Sequence, residues 1–373
     1  MELIDQFFYN FTHNLFKPLL LFFYLGFLVP LLKVPLEFPP ALYKALTIYL
    51  LIAIGWHGGE ELAELSPNNL SDAVGFMIIG FVTNTIVGIM AYYALRSMTH
   101  LRKIDAATVS GYYGSDSAGT FVTCVGVLVA ANIAYAAYMP VLLAVMEIPG
   151  CLVALYMVAR IRHSGQMDDS GTMPGEPGYN SVSGRVHDVK QGHSQKIFSK
   201  KALHEIFFNP GLFLLFGGIA IGFISRLQGV HVTEANDKFF VVLFQGVLCL
   251  FLLEMGMTAC SRLKDLRLGG PGFIAFGLIA PNVFAGIGIL VAHAYSMFVG
   301  HPFQIGTYVL FAVLCGSSSY IAVPAVQRIA IPEASPTLPL AASLGLTFSY
   351  NVTIGIPVYI MLATAITTAS PVQ

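Results

Sequence analysis

Two stretches decide how this chain folds: Gly114-Ser115-Asp116-Ser117-Ala118-Gly119-Thr120 and Cys315-Gly316-Ser317-Ser318-Ser319-Tyr320. Each is a polar, small-residue interruption inside a long apolar segment, and an offset of 201 residues carries the first onto the second. In hydrocarbon a backbone leaves the helical state only where protein or water satisfies its freed N–H and C=O groups, that is, around a buried cavity. Two matched breaks therefore predict one site near the membrane midplane, the arrangement of carriers built from inverted repeats.

Composition agrees with a membrane setting. Hydrophobic residues make up 56% of the 373, charged residues 10%, and the mean hydropathy is +0.73, far from soluble globular averages. Apolar runs long enough to cross about 30 Å of hydrocarbon fall at 18–32, 41–56, 73–95, 106–129, 139–159, 210–224, 239–257, 272–298, 305–329 and 338–363, with Asn132 marking the turn after the fourth. The sequence thus predicts an all-α polytopic membrane protein of ten transmembrane helices, arranged as two inverted five-helix repeats, 1–162 and 202–373. Between them, residues 163–201 are rich in Gly, Ser, His, Asp and Pro and poor in branched apolar residues, which predicts a largely disordered linker. It is read either as a mere connector or as a docking segment for a cytoplasmic regulator. Glu2 and Asp5 stand where a signal peptide would be positive, so the first segment reads as a retained helix.

Sixteen of the nineteen lysines and arginines fall on the linker side of these segments, leaving Lys17, Arg226 and Lys238 on the other. The positive-inside rule then puts the linker in the cytoplasm and both termini outside the plasma (inner) membrane. The five cysteines lie in or beside apolar segments and offer no disulfide or zinc pattern.

The chemistry is expected at the breaks. The half-helices that begin after Gly114 and Gly316 start near the midplane and point in opposite directions, so their N-termini should converge. Each N-terminus offers unpaired N–H groups and about half a positive charge, which favours an anion. Ser115, Ser117, Ser317, Ser318 and Ser319 add hydroxyls, and the carbonyls that end the preceding half-helices suit a small hard cation. Cation-coupled uptake of a small oxyanion follows; the bland alternative is that these small residues only let helices pack closely.

Together with Met146-Glu147-Ile148-Pro149, Glu254-Met255-Gly256-Met257, Ile321-Ala322-Val323-Pro324, Arg328, Ile331-Pro332, Ser335-Pro336 and Gly355-Ile356-Pro357, these stretches resemble the cyanobacterial-type sodium-dependent bicarbonate transporters over nearly the whole chain. The resemblance implies core and gate domains, a homotrimer, a PII-like regulator at the cytoplasmic face, no cofactor beyond Na⁺ as coupling ion, and bicarbonate as substrate at the crossed broken helices. It implies that Gly114, Ser115, Ser117, Thr120, Gly316, Ser317, Ser318 and Ser319 bind substrate. The chain departs from the family where an Asp is expected after the serine triplet: it has Tyr320, then Ala322 and Val323 for the next Ser and Gly. Asp116, in the opposite break, is the candidate to replace that carboxylate: ionised it would hold Na⁺, protonated it would couple H⁺, and its third reading is an N-cap of the second half-helix.

Ser117, Ser318, Tyr320, Glu147, Glu254 and Asn351 complete the ion-coupling candidates, because polar groups inside a membrane face protein or water. Glu147, Glu254 and Asn351 have equally plain structural readings as hydrogen-bonding residues. His57, Glu60, Glu61 and Glu64 mimic a metal site at helical spacing, but read as the solvated acidic end of a helix. Nothing indicates a nucleic-acid partner, and no nucleotide or nucleophile motif supports an enzyme. Two other readings stay open: a Na⁺- or H⁺-coupled symporter of another small anion such as a short carboxylate, and a membrane anion sensor that does not transport.

Overall fold

The computed structural model describes residues 16–64, 67–180, 204, 206, 208 and 210–372, and every regular element among them is helical. The first half holds α1 (Pro18–Leu31), α2 (Pro40–Ala63), α3 (Pro67–Met98), α4 (Lys103–Tyr113), α5 (Ala118–Ala130), α6 (Met139–Met146) and α7 (Ile148–His163). The second holds α8 (Pro210–Leu227), α9 (Val230–Asp237), α10 (Phe244–Arg262), α11 (Gly270–Val299), α12 (Ile305–Gly316), α13 (Ala322–Ala330), α14 (Thr337–Leu340) and α15 (Ile356–Ala369). Proline opens several of them, including α1 and α2, where its missing N–H falls among donors that lack a helical partner anyway.

Among the described residues, six stretches are long and apolar enough to cross a membrane: Pro40–Ala63, Ser71–Met98, Met139–His163, Pro210–Leu227, Val230–Val299 and Thr337–Ala369. The fifth contains both α10 and α11, separated by a 3₁₀ turn at Leu263–Gly269. The predicted fourth and ninth segments are each two helices, broken at the stretches quoted above: α4 and α5 flank 114–117, and α12 and α13 flank 317–321. The last segment is also irregular, since π-helical turns at Ala341–Phe348 and Asn351–Gly355 separate α14 from α15.

Packing is set by small residues, as in membrane bundles generally. α1 runs along α10, with Gly26 on the backbone of Leu253 and Gly256 on the backbone of Phe23 and Phe27. α2 runs along α8, where Gly55 and Gly59 meet the backbone of residues 215–223 and Gly222 meets that of Trp56. α4 lies between α3 and α7, and α12 lies along α11. The outward faces carry bare apolar side chains such as Phe213, Ile224, Ile78 and Leu290, which suit lipid.

One expectation fails over part of its range. Residues 164–180 are not a loose tether but a folded strap on the bundle, while the rest of the predicted linker lies outside the described residues. Asp168 accepts from the N–H groups of Ser170, Thr172 and Asn180 and from the Ser170 hydroxyl, at 2.7–3.0 Å. Met173 is buried among α4 and α7 residues. Arg102 donates to Ser170 O at 2.7 Å, and the Lys103 N–H donates to Glu176 Oε1 at 2.8 Å. Composition missed this because the strap is held by backbone donors collected on one carboxylate rather than by apolar area.

Candidate functional site

Gly114 caps α4 and sits where three helices touch: a Cβ built on it would lie 2.8 Å from the Gly88 Cα of α3 and 3.2 Å from the Gly150 Cα of α7. Ser115 then donates its hydroxyl to the carbonyl of Glu147 at 2.6 Å, at the joint between α6 and α7. Ser117 is the N-cap of α5, its Oγ accepting from the N–H of Thr120 at 3.2 Å and from the Thr120 hydroxyl at 2.9 Å. The cap is therefore Ser117 and not Asp116, so the N-cap reading of Asp116 is withdrawn. With Thr120 satisfied by the cap, the N–H groups of Ala118 and Gly119 remain at the open end of the helix.

The second break is anchored by the last segment. Asn351 donates to the carbonyl of Gly316 at 2.9 Å and accepts from the Tyr359 hydroxyl at 2.7 Å, while Ser318 and Ser343 share a hydroxyl pair at 2.7 Å. The π turns present Ser343, Thr347 and Asn351 on this side, and Thr347 pairs with the Tyr113 hydroxyl at 2.6 Å.

The two breaks meet each other. The Ser117 N–H donates to Ser317 Oγ at 3.0 Å, and the Ser319 N–H donates to the carbonyl of Tyr112, in the last turn of α4, at 2.8 Å. Two bonds between residues about 200 apart thus cross-link the interrupted helices where each has lost its own ladder. Ser115, Asp116, Ser117, Thr120, Ser317, Ser318, Ser319 and Asn351 are all buried around this crossing.

Polar groups left without partners concentrate here. Both carboxyl oxygens of Asp116 are buried with no hydrogen-bond partner, and the residue lies within electrostatic reach of Glu147. A buried carboxyl group with no hydrogen-bond partner inside a membrane bundle is a candidate for holding a cation or a proton. Asn84, which the sequence reading passed over, donates to the carbonyls of Met146 at 3.1 Å and Leu314 at 3.4 Å and leaves its own Oδ1 buried and unpartnered. The Tyr320 ring packs edge-on to Phe348 at 5.8 Å, and its hydroxyl lies against Gly119, where any side chain would collide with it. A phenol donor thus stands over the first turn of α5.

Glu254 belongs to another helix, α10. One oxygen accepts from Thr258 at 2.7 Å and the other is buried without a partner; the residue is within electrostatic range of Tyr320 and Tyr43. His57, Glu60, Glu61 and Glu64 lie far along α2 at its other end, engaged in ion pairs: His57 with Glu61 at 3.2 Å, and Arg226 with both Glu60 and Glu64. Among the described residues no group of His, Cys, Asp and Glu has a geometry to hold a metal ion in the manner of a ligand cluster.

A bundle of apolar helices with two interrupted members, cross-linked at a buried polar crossing, defines a membrane transport protein rather than an enzyme. Residues 18–364 match the model of the Na⁺-dependent bicarbonate transporter superfamily, and the chain belongs to that family. No curated protein matches the chain.

Proposed function

We propose that this chain is a secondary active transporter that carries bicarbonate together with Na⁺ by alternating access, through ten transmembrane helices in two inverted repeats. The observation that carries the reading is the crossing itself: Ser117 to Ser317 and Ser319 to Tyr112, with both Asp116 oxygens buried and unpartnered beside it. The partner exchange in the bundle supports the inverted repeat, because the first long helix of each half packs along the second long helix of the other, α1 on α10 and α8 on α2. Bicarbonate is small, planar and singly charged, and the open N–H groups of Ala118 and Gly119, the serine hydroxyls and the Tyr320 hydroxyl are all donors suited to its oxygens. Asp116 is the cation ligand in this reading, with the Asn84 Oδ1 as a second oxygen.

Tyr320 then serves the anion rather than the cation, and the coupling charge has moved to the opposite break. Transport across the plasma membrane with both termini outside follows from the lysine and arginine asymmetry. A homotrimer and a PII-like partner on the cytoplasmic face belong to the same proposal through the family.

The test is uptake of labelled bicarbonate into sealed proteoliposomes, with an inward Na⁺ gradient, an inward H⁺ gradient or neither, for the native chain and Asp116→Asn. Accumulation driven by Na⁺ and lost in Asp116→Asn is expected. Accumulation driven by H⁺ alone would reassign the coupling ion, and none under either gradient would remove bicarbonate as the substrate.

A further inference from the structure

A second feature lies away from the crossing, where the N-terminus of α1, the C-terminus of α5 and the N-terminus of α10 come together at one end of the bundle. A crevice of about 450 Å³ opens there, walled by Leu19, Val129, Gly246 and Cys249. Gln245 also borders it, but its amide is already spent on the carbonyl of Gly126 at 3.1 Å. Gly246 is exposed to the crevice, and a side chain there would enter open space, meeting nothing within 4 Å. Around the mouth Phe16, Leu21, Leu243 and Leu250 are bare apolar side chains, so the crevice faces lipid rather than water.

At its rim stands Lys17, which has no ion-pair partner among the described residues. In the adjoining cavity, which shares Val129 and Gln245 with the crevice, Glu61 is paired with His57, and Arg226 nearby is engaged by Glu60 and Glu64. An apolar slot with an ammonium at its rim and bare apolar side chains around its mouth selects both the place and the sign of its occupant.

We propose that this crevice binds an anionic phospholipid, one acyl chain lying between α1, α5 and α10 and the headgroup phosphate resting on the Lys17 ammonium. α5 is the half-helix that leaves the first break, whereas α1 packs along α10. A lipid in this seam touches both the broken helix and the pair beside it. The inference depends on the chain's place in a membrane and not on its substrate.

The experiment is native mass spectrometry of the delipidated full chain titrated with phosphatidylglycerol or phosphatidylcholine, for the native protein, Lys17→Gln, Lys17→Arg and Gly246→Leu. The native protein and Lys17→Arg should prefer phosphatidylglycerol about fivefold, Lys17→Gln should bind the two lipids equally, and Gly246→Leu should bind both more weakly because leucine fills the slot. Soluble glycerol phosphate should not compete. The proposal is overturned if the preference survives Lys17→Gln, if Gly246→Leu binds like the native chain, or if glycerol phosphate displaces the lipid.

Discussion

Gly150→Ala probes the joint that holds the first break in place. Gly150 lies in the first turn of α7, against the end of α4, and an alanine Cβ there would sit 2.5 Å from the Ser115 nitrogen and 2.6 Å from the Gly114 carbonyl carbon, besides colliding with the Gly111 oxygen. All three are backbone atoms, so no side chain can rotate aside. Restoring an ordinary contact of 3.4 Å requires α7 and the break to part by at least about 0.9 Å, and by more to clear the Gly111 oxygen, which strains the Ser115 to Glu147 bond on the same joint. Overpacking of this kind costs about 1–3 kcal/mol, and at about 2 kcal/mol the population with the breaks docked falls roughly 30-fold. The assay pairs thermal unfolding in nanodiscs with bicarbonate uptake, using Gly217→Ala as control because a Cβ at Gly217 meets nothing within 4 Å. Gly150→Ala should lower both stability and uptake, and Gly217→Ala neither. A Gly150→Ala protein that melts and transports like the native chain would refute the argument.

Asn351→Ala leaves the Gly316 carbonyl and the Tyr359 hydroxyl buried without their partner, at a cost of about 1–3 kcal/mol; a thermal midpoint equal to that of the native chain would show that water reaches this position. Arg162 donates to Glu333 and to the carbonyl of Ala330, tying α7 to the loop after α13, so a double-mutant cycle with Arg162→Ala and Glu333→Ala should give a coupling of about 1 kcal/mol, and zero coupling would deny the tie. Burial pushes the Asp168 carboxyl up, but the N–H groups of Asn180 and Thr172 and the two Ser170 donors outweigh it and hold the group at about 2. Its stabilisation of the strap is therefore present above the ordinary aspartate value near 4 and is lost as pH falls from there toward 2. Limited proteolysis between residues 164 and 180 should rise over that window, and should already be high at pH 7 in Asp168→Asn; equal resistance of Asp168→Asn and the native chain would count against it.

The helices were legible because hydrocarbon leaves the backbone so few choices. Apolar runs bounded by Pro, Gly and charge marked them, and the Gly-Ser stretches marked where helix could not continue. The meeting of the two breaks was legible from direction alone, since two half-helices starting at the midplane from opposite sides must come together. The identity of the cap was not: Asp116 and Ser117 are both good capping residues, and only the chain's path decides which oxygen reaches the Thr120 N–H. Asn84 was passed over because a single polar residue in an apolar helix is ordinary in membranes, and its two carbonyl partners are 62 and 230 residues away. Ser343, Thr347 and Asn351 did leave a signal, a polar residue at every fourth position in an apolar segment, which marks one helix face turned toward something polar.

Those three residues reach the second break from π-helical turns, and a π turn is an α-helix carrying one surplus residue. Length in this segment is thus as informative as identity. Removing a single residue from one of these turns would let it relax to the commoner α geometry, so that the deletion is absorbed locally and the helix beyond keeps its place. A substitution that spoils one bond leaves its neighbours in place, whereas such a deletion slides the polar residues of that turn by one position relative to the second break. The segment from Ala341 to Gly355 is therefore where a lineage could exchange one set of groups facing the crossing for another in a single step, while every apolar residue that holds the helix in the membrane is kept.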